Sequence, residues 1–197
     1  MKFEITQQDS YSRGELLLRT FFGALYIIAP HTIVLLFVGI WSNIVHFIAW
    51  WVILFTGHYP EQFFEFNVKL LTWQTRLNAS TYNLIDGYPA IGLNASHPAV
   101  TLQVQNPDQL SRGKLLLRTF LGAFYVLIPH GICLYGRVIA TGFIHMLTWW
   151  AILFTGRIPT SWFEFNVGTL RWGLRLNLYM TNMTDVYPPF SGKPSVA

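Results

Sequence analysis

Charge is scarce in this sequence: only 11% of its 197 residues are Asp, Glu, Lys or Arg, less than half of what an ordinary soluble domain carries. With 52% hydrophobic and 17% aromatic residues, a surface drawn from such a composition would not stay dissolved. The single cysteine, Cys133, lies in an apolar run, which excludes an intrachain disulfide and any thiol pair for metal or redox work. Also missing are a Gly-rich phosphate loop, a nucleophile beside a base, a carboxylate pair within an apolar run, and a His/Cys cluster at metal spacing. No polar stretch is long enough to fold a separate catalytic domain. Neither an enzyme nor a metal site is expected. The opening stretch MKFEITQQDSYSRGE lacks the basic-then-apolar order of a secretory signal, which leaves targeting to the first apolar run. The formal net charge of +4 comes from basic residues beside apolar runs, so an anionic lipid surface suits it better than nucleic acid.

What is present is a duplication. Shifting the chain by about 99 residues lays SRGELLLRTFFGALYIIAPH over SRGKLLLRTFLGAFYVLIPH, WWVILFTGHYP over WWAILFTGRIP, and FFEFNVKLLTWQTRLN over WFEFNVGTLRWGLRLN, without a gap. Residues 1–98 form the first repeat and 99–197 the second. Each has a short alternating segment (KFEIT, VTLQVQ) that reads as a possible β-strand, an apolar run, a Thr-Gly-x-x-Pro break and an amphipathic stretch.

The apolar run of about 40 residues exceeds one span of roughly 20, so each repeat is expected to turn back once as a transmembrane hairpin. The hairpins cover about 16–56 and 115–155, with turns near Val38 and Gly39 and near Gly136 to Val138. Pro30 and Pro129 fall inside the first helix of each hairpin and should bend it. After the break, helices over about 61–84 and 160–183 are amphipathic. Phe63, Phe66, Leu70, Trp73 and Leu77 oppose Glu61, Glu65, Lys69, Thr72 and Arg76, while Trp162, Phe165, Trp172 and Leu176 oppose Glu164, Arg171 and Arg175. Charges in both halves of each helix forbid a span, so both are expected to lie flat in the headgroup region with their aromatics in lipid. Arg137 is the one basic residue placed at a hairpin turn, which makes the termini and amphipathic helices cytoplasmic. The fold class expected is therefore all-α integral membrane, with four transmembrane helices in two parallel repeats related by an axis along the membrane normal.

The combination of PH, an apolar hairpin, LFTG-x-x-P, FEFNV, R-x-LN and D-x-YPPF resembles the bacterial membrane family called domain of unknown function 4389, once per repeat. The resemblance implies a multi-pass protein of the bacterial cytoplasmic membrane and brings no reaction, ligand or partner. The first repeat departs from the pattern in ending YPAI, and His46 and His145 stand where the family has an aliphatic or aromatic residue.

Four groups of residues are candidates for function. His31, His46, His130 and His145 are ionisable groups in apolar helices, where such groups are costly. Paired across a hairpin they could ligate haem or another pigment; otherwise they hydrogen-bond within the bundle, including to carbonyls freed by the prolines. Glu65 with Arg76, and Glu164 with Arg175, lie three helical turns apart and could form a polar groove for a headgroup or partner, or an ordinary solvated face. Arg13, Arg19, Arg112 and Arg118 cluster where the first spans begin and read as topology signals and anionic-lipid contacts. Trp73 and Trp172 are interfacial anchors. The expected function is a non-catalytic accessory or organising subunit of a membrane complex, in contact with lipid headgroups and with other subunits or further copies of itself. An oligomeric small channel or lipid-translocating protein is the alternative, and a haem- or pigment-binding subunit ranks below it.

Overall fold

The computed structural model describes residues 1–194; positions 195–197 of the second repeat lie outside the described residues. The chain is mostly helical and runs β1 (Lys2–Ile5), α1 (Arg13–Thr56), α2 (Glu61–Thr81), β2 (Val100–Gln103), α3 (Arg112–Thr155) and α4 (Thr160–Met180). Two tandem repeats of strand, long helix and shorter helix are thus present, and both long helices are long and apolar enough to cross a membrane.

The expected hairpins are replaced by single helices. α1 and α3 are each 44 residues long and pass through Gly39 and Gly136 without a turn. A helical glycine costs only about 1 kcal/mol relative to alanine, and neither a proline nor a polar turn residue accompanies these two. The irregularity sits instead one turn before each proline, at wide π turns over Ala24–Ile28 and Ala123–Leu127. A proline has no N–H to donate and crowds the carbonyl four residues back, so a widened turn accommodates Pro30 and Pro129 without ending the helix. Each long helix starts on a serine cap, Ser12 or Ser111, and stops at a left-handed glycine, Gly57 or Gly156.

The two repeats interlock. Arg13 donates to the Phe154 carbonyl at the end of α3, and Arg112 to the Phe55 carbonyl at the end of α1. Trp149 Nε1 reaches Thr20 and Trp50 Nε1 reaches Thr119, both at 2.8 Å. The start of each long helix therefore lies along the end of the other, antiparallel. The backbone repeats this exchange, with Tyr11 donating to Gly156 and Leu110 to Gly57. β1 and β2 pair antiparallel across the repeats, and Phe3 pairs with Leu102, its own counterpart one repeat later. A pseudo-twofold axis passes through that pair.

α2 and α4 do not present their aromatic stripe to lipid, and this corrects the reading of Trp73 and Trp172 as interfacial anchors. Trp73 is 1% and Trp172 5% exposed, each covered by the long helix of its own repeat. An apolar stripe records that something covers it, not what does. Most of the large exposed hydrophobics lie elsewhere, along the outer sides of the long helices, among them Phe21, Leu25, Phe37 and Phe47 in α1, and Phe120, Phe124 and Phe143 in α3. Behind α2 and α4, Phe3, Ile5, Val100 and Leu102 of the strand pair close a core with Phe64, Leu71, Phe163 and Val167.

Candidate functional site

Both histidines that follow a proline are fully buried and accept from an indole. Trp73 Nε1 donates to His31 Nδ1 at 2.8 Å, and Trp172 Nε1 to His130 Nδ1 at 2.9 Å. A ring nitrogen that accepts carries no proton, so Nε2 holds it in each ring. A tyrosine ring lies against each imidazole, Tyr88 at 5.6 Å from His31 and Tyr187 at 5.3 Å from His130. In the second repeat Phe190 also stacks on His130 at 3.9 Å, where the first repeat has Ile91.

His46 and His145 are placed differently. His46 Nδ1 meets the Tyr59 hydroxyl at 3.1 Å, and His145 Nδ1 meets the Tyr82 carbonyl of the other repeat at 3.3 Å. Since α1 does not turn back, His31 and His46 lie on one helix about 22 Å apart along its axis. The pairing across a hairpin that suggested bis-imidazole haem ligation is therefore not formed. The carbonyls freed by the prolines are not met by the histidines either: Tyr187 donates its hydroxyl to the Tyr125 carbonyl, four residues before Pro129, at 3.0 Å.

The polar partners of Tyr59 differ between repeats. In the first, Asn67 donates to the Tyr59 hydroxyl and accepts from Ser42 at 2.7 Å. In the second, Ile158 replaces the tyrosine, and both side-chain polar atoms of the fully buried Asn166 are without a hydrogen-bond partner among the described residues. Arg137 is not at a hairpin turn. It points inward from the middle of α3, donating to Thr169 Oγ1 at 2.9 Å and to the Phe165 carbonyl at 3.0 Å.

The arginines read as lipid contacts act on main-chain carbonyls. Arg19 donates to the Ser80 carbonyl and to Asn83. Arg118, 3% exposed, donates to the Tyr179 and Thr184 carbonyls and pairs with Asp185 at 2.8 Å. Arg76 is buried and donates to the Ala90 and Gly92 carbonyls, and Arg175 to those of Ser191 and Lys193. Burial lowers the affinity of Arg76 and Arg175 for their protons. Glu65 and Glu164 are exposed, so Glu65 and buried Arg76 do not share a groove. Two residues outside the sequence candidates bind each repeat back on itself: Asp86 accepts from the Ser12 N–H at 2.7 Å, and Asp185 from the Ser111 N–H at 2.6 Å. Burial raises the Asp86 carboxyl above its ordinary value, and the Ser12 N–H opposes the shift. The repeated D-x-YP in both halves was the signal for these aspartates and for Tyr88 and Tyr187.

A crevice of about 320 Å³ opens on the pseudo-twofold axis between α2 and α4. Leu134 and Val138 of α3 form one wall, and Gln74, Asn78 and Asn177 bring side-chain amides to it. Among the described residues no group of three or more His, Cys, Asp or Glu is placed to hold a metal ion.

A family model described as Domain of unknown function (DUF4389) matches the chain twice, over residues 16–91 and 115–192. No curated protein and no solved structure matches it.

Proposed function

The chain belongs to the Domain of unknown function (DUF4389) family, carrying the domain twice, and on that premise we propose a non-catalytic integral membrane protein that serves as an accessory or organising subunit of a larger complex. The observation that carries this reading is the apolar outer side of the long helices, where Phe21 is 73%, Leu25 75%, Phe120 72% and Phe124 69% exposed. A continuous apolar surface of this kind belongs against lipid or another apolar protein. At 1.5 Å per residue a 44-residue helix is about 66 Å long, roughly twice the hydrocarbon thickness, so the long helices run obliquely through the lipid. The strand pair and the exposed Glu61, Glu65, Lys69 and Glu164 then lie at the headgroups. The excess of Lys and Arg outside the apolar runs assigns that side, with the termini, to the cytoplasm of a bacterial inner membrane.

Mild detergent extraction followed by native mass measurement tests the reading. Copurifying subunits or a defined oligomer are expected, and a bare monomer carrying nothing would remove the organising role. The crevice on the axis favours a second reading, a small channel or lipid-translocating oligomer. Reconstituted protein that moves neither ions nor labelled lipid between leaflets would dispose of it.

A further inference from the structure

We propose that the crevice on the pseudo-twofold axis binds one neutral, hydroxyl-bearing lipid headgroup, with the acyl chains leaving past Leu134 and Val138. This rests on the membrane placement proposed above and adds the class of ligand.

Position comes first. Leu134 and Val138 lie on α3, whose outer side carries the exposed apolar residues, so the opening faces the same surroundings as those residues. A lipid is the molecule present there. The volume of about 320 Å³ is at the small end of ligand sites and suits a headgroup with the first part of its chains, not a whole lipid.

Hydrogen bonding then selects the headgroup. The side-chain amides of half-buried Gln74 and of exposed Asn78 and Asn177, and the Tyr82 hydroxyl beside them, make no hydrogen bond among the described residues, whereas Thr75 and Thr169 in the same lining are bonded. On the membrane placement proposed above these amides face lipid, where they are costly unless something meets them. An amide offers both donors and an acceptor, and a hydroxyl answers both, whereas an ester or quinone oxygen can only accept. Charge excludes the commoner headgroups. None of the residues lining the crevice is Lys, Arg, Asp or Glu, and the nearest cation, Arg137 behind Thr169, is already held by Thr169 Oγ1 and the Phe165 carbonyl, so a phosphate placed there would lose its hydration and meet no uncommitted cation.

Purified protein in phosphatidylcholine nanodiscs, titrated with dioctanoylglycerol or with dioctanoyl phosphatidic acid, tests this by native mass spectrometry. The two probes share chains and differ in a hydroxyl against a phosphate. One dioctanoylglycerol per chain is expected, bound at least about tenfold more tightly than the phosphatidic acid, with the preference lost in the Asn78→Leu/Asn177→Leu variant. If that variant does not fold, Gln74→Met, near-isosteric and only half buried, takes its place with the same expected loss. Equal binding of the two probes, a preference for the acid, or an unchanged preference in a folded variant overturns the proposal. Vesicle flotation of the same preparations separates the two levels. Protein that floats without selecting the neutral lipid overturns the headgroup assignment alone, and protein that does not float overturns the membrane placement beneath it.

Discussion

The two repeats agree where they meet and differ inside. Where the long helices dock, the contacts come in pairs: arginine on the far helix end, tryptophan on threonine, glycine carbonyl on the incoming backbone. Within the repeats the same positions do different work. Arg118 has a half-buried carboxylate partner at 2.8 Å, whereas Arg19 meets Glu15 only at 3.6 Å and at the edge of solvent. Asn67 is fully bonded and Asn166 is not. Lys69 is replaced by Gly168, where an added Cβ would fall 2.7 Å from Arg137 Nη2 and 3.1 Å from the Gly192 carbonyl. The docking of one long helix on the other thus defines the pseudo-symmetric frame, and polar residues inside it such as Asn67 and Asn166 are free to differ because each is satisfied, or left unsatisfied, within its own repeat.

The sharpest way to break that comparison is to remove the two equivalent arginines. Arg118→Ala leaves half-buried Asp185 with only the Ser111 N–H and takes the donor from two carbonyls, and should cost about 3 kcal/mol of unfolding free energy. Arg19→Ala loses bonds to a carbonyl and an amide and should cost about 1–3 kcal/mol. Denaturant titration in micelles, followed by tryptophan fluorescence, measures both. Equal losses would mean that the Asp185 pair adds nothing beyond the carbonyl contacts.

The next effect has opposite signs in the two repeats. Asn67→Leu strips partners from Ser42 and Tyr59 and should destabilise by about 1–3 kcal/mol. Asn166→Leu removes two unmet polar atoms from a fully buried site and should be neutral or stabilising. The same titration reads the pair, and a comparable loss from both would show that Asn166 has a partner after all, a bound water being the simplest.

The duplication, the amphipathic helices, the strands and the glycine stops were legible in the sequence because each is local. So was the apolar run. That it forms one helix was not, since length argued for a turn while nothing in the residues around Gly39 or Gly136 imposes one. The destination of the aromatic stripe was equally hidden. Trp73 looks the same in sequence whether lipid or His31 receives it, and only the packing of each shorter helix on the long helix of its own repeat decides. The carbonyl partners of the arginines were hidden for a related reason: a basic residue at the start of an apolar run suits a lipid phosphate, and suits equally a helix end with carbonyls to spare.

The smallest effect expected concerns two tyrosines one repeat apart. Pro129 leaves the Tyr125 carbonyl without its helical donor, and the Tyr187 hydroxyl supplies one at 3.0 Å. In the first repeat Tyr88 packs its ring near Tyr26, 6.2 Å between centroids, and its hydroxyl makes no such bond among the described residues. Phenylalanine keeps the ring against His31 or His130 in either case and deletes only the oxygen, so the pair of substitutions isolates the hydroxyl. Tyr187→Phe should cost about 0.5–1.5 kcal/mol, the net worth of one hydrogen bond, and lower Tm by about 1–6 °C in a chain of this size. Tyr88→Phe should stay within about 0.5 kcal/mol of the parent. Thermal unfolding in micelles followed by circular dichroism resolves the difference. An unchanged Tm for Tyr187→Phe would mean that the widened π turn alone accommodates the proline, with the hydroxyl contact incidental to it.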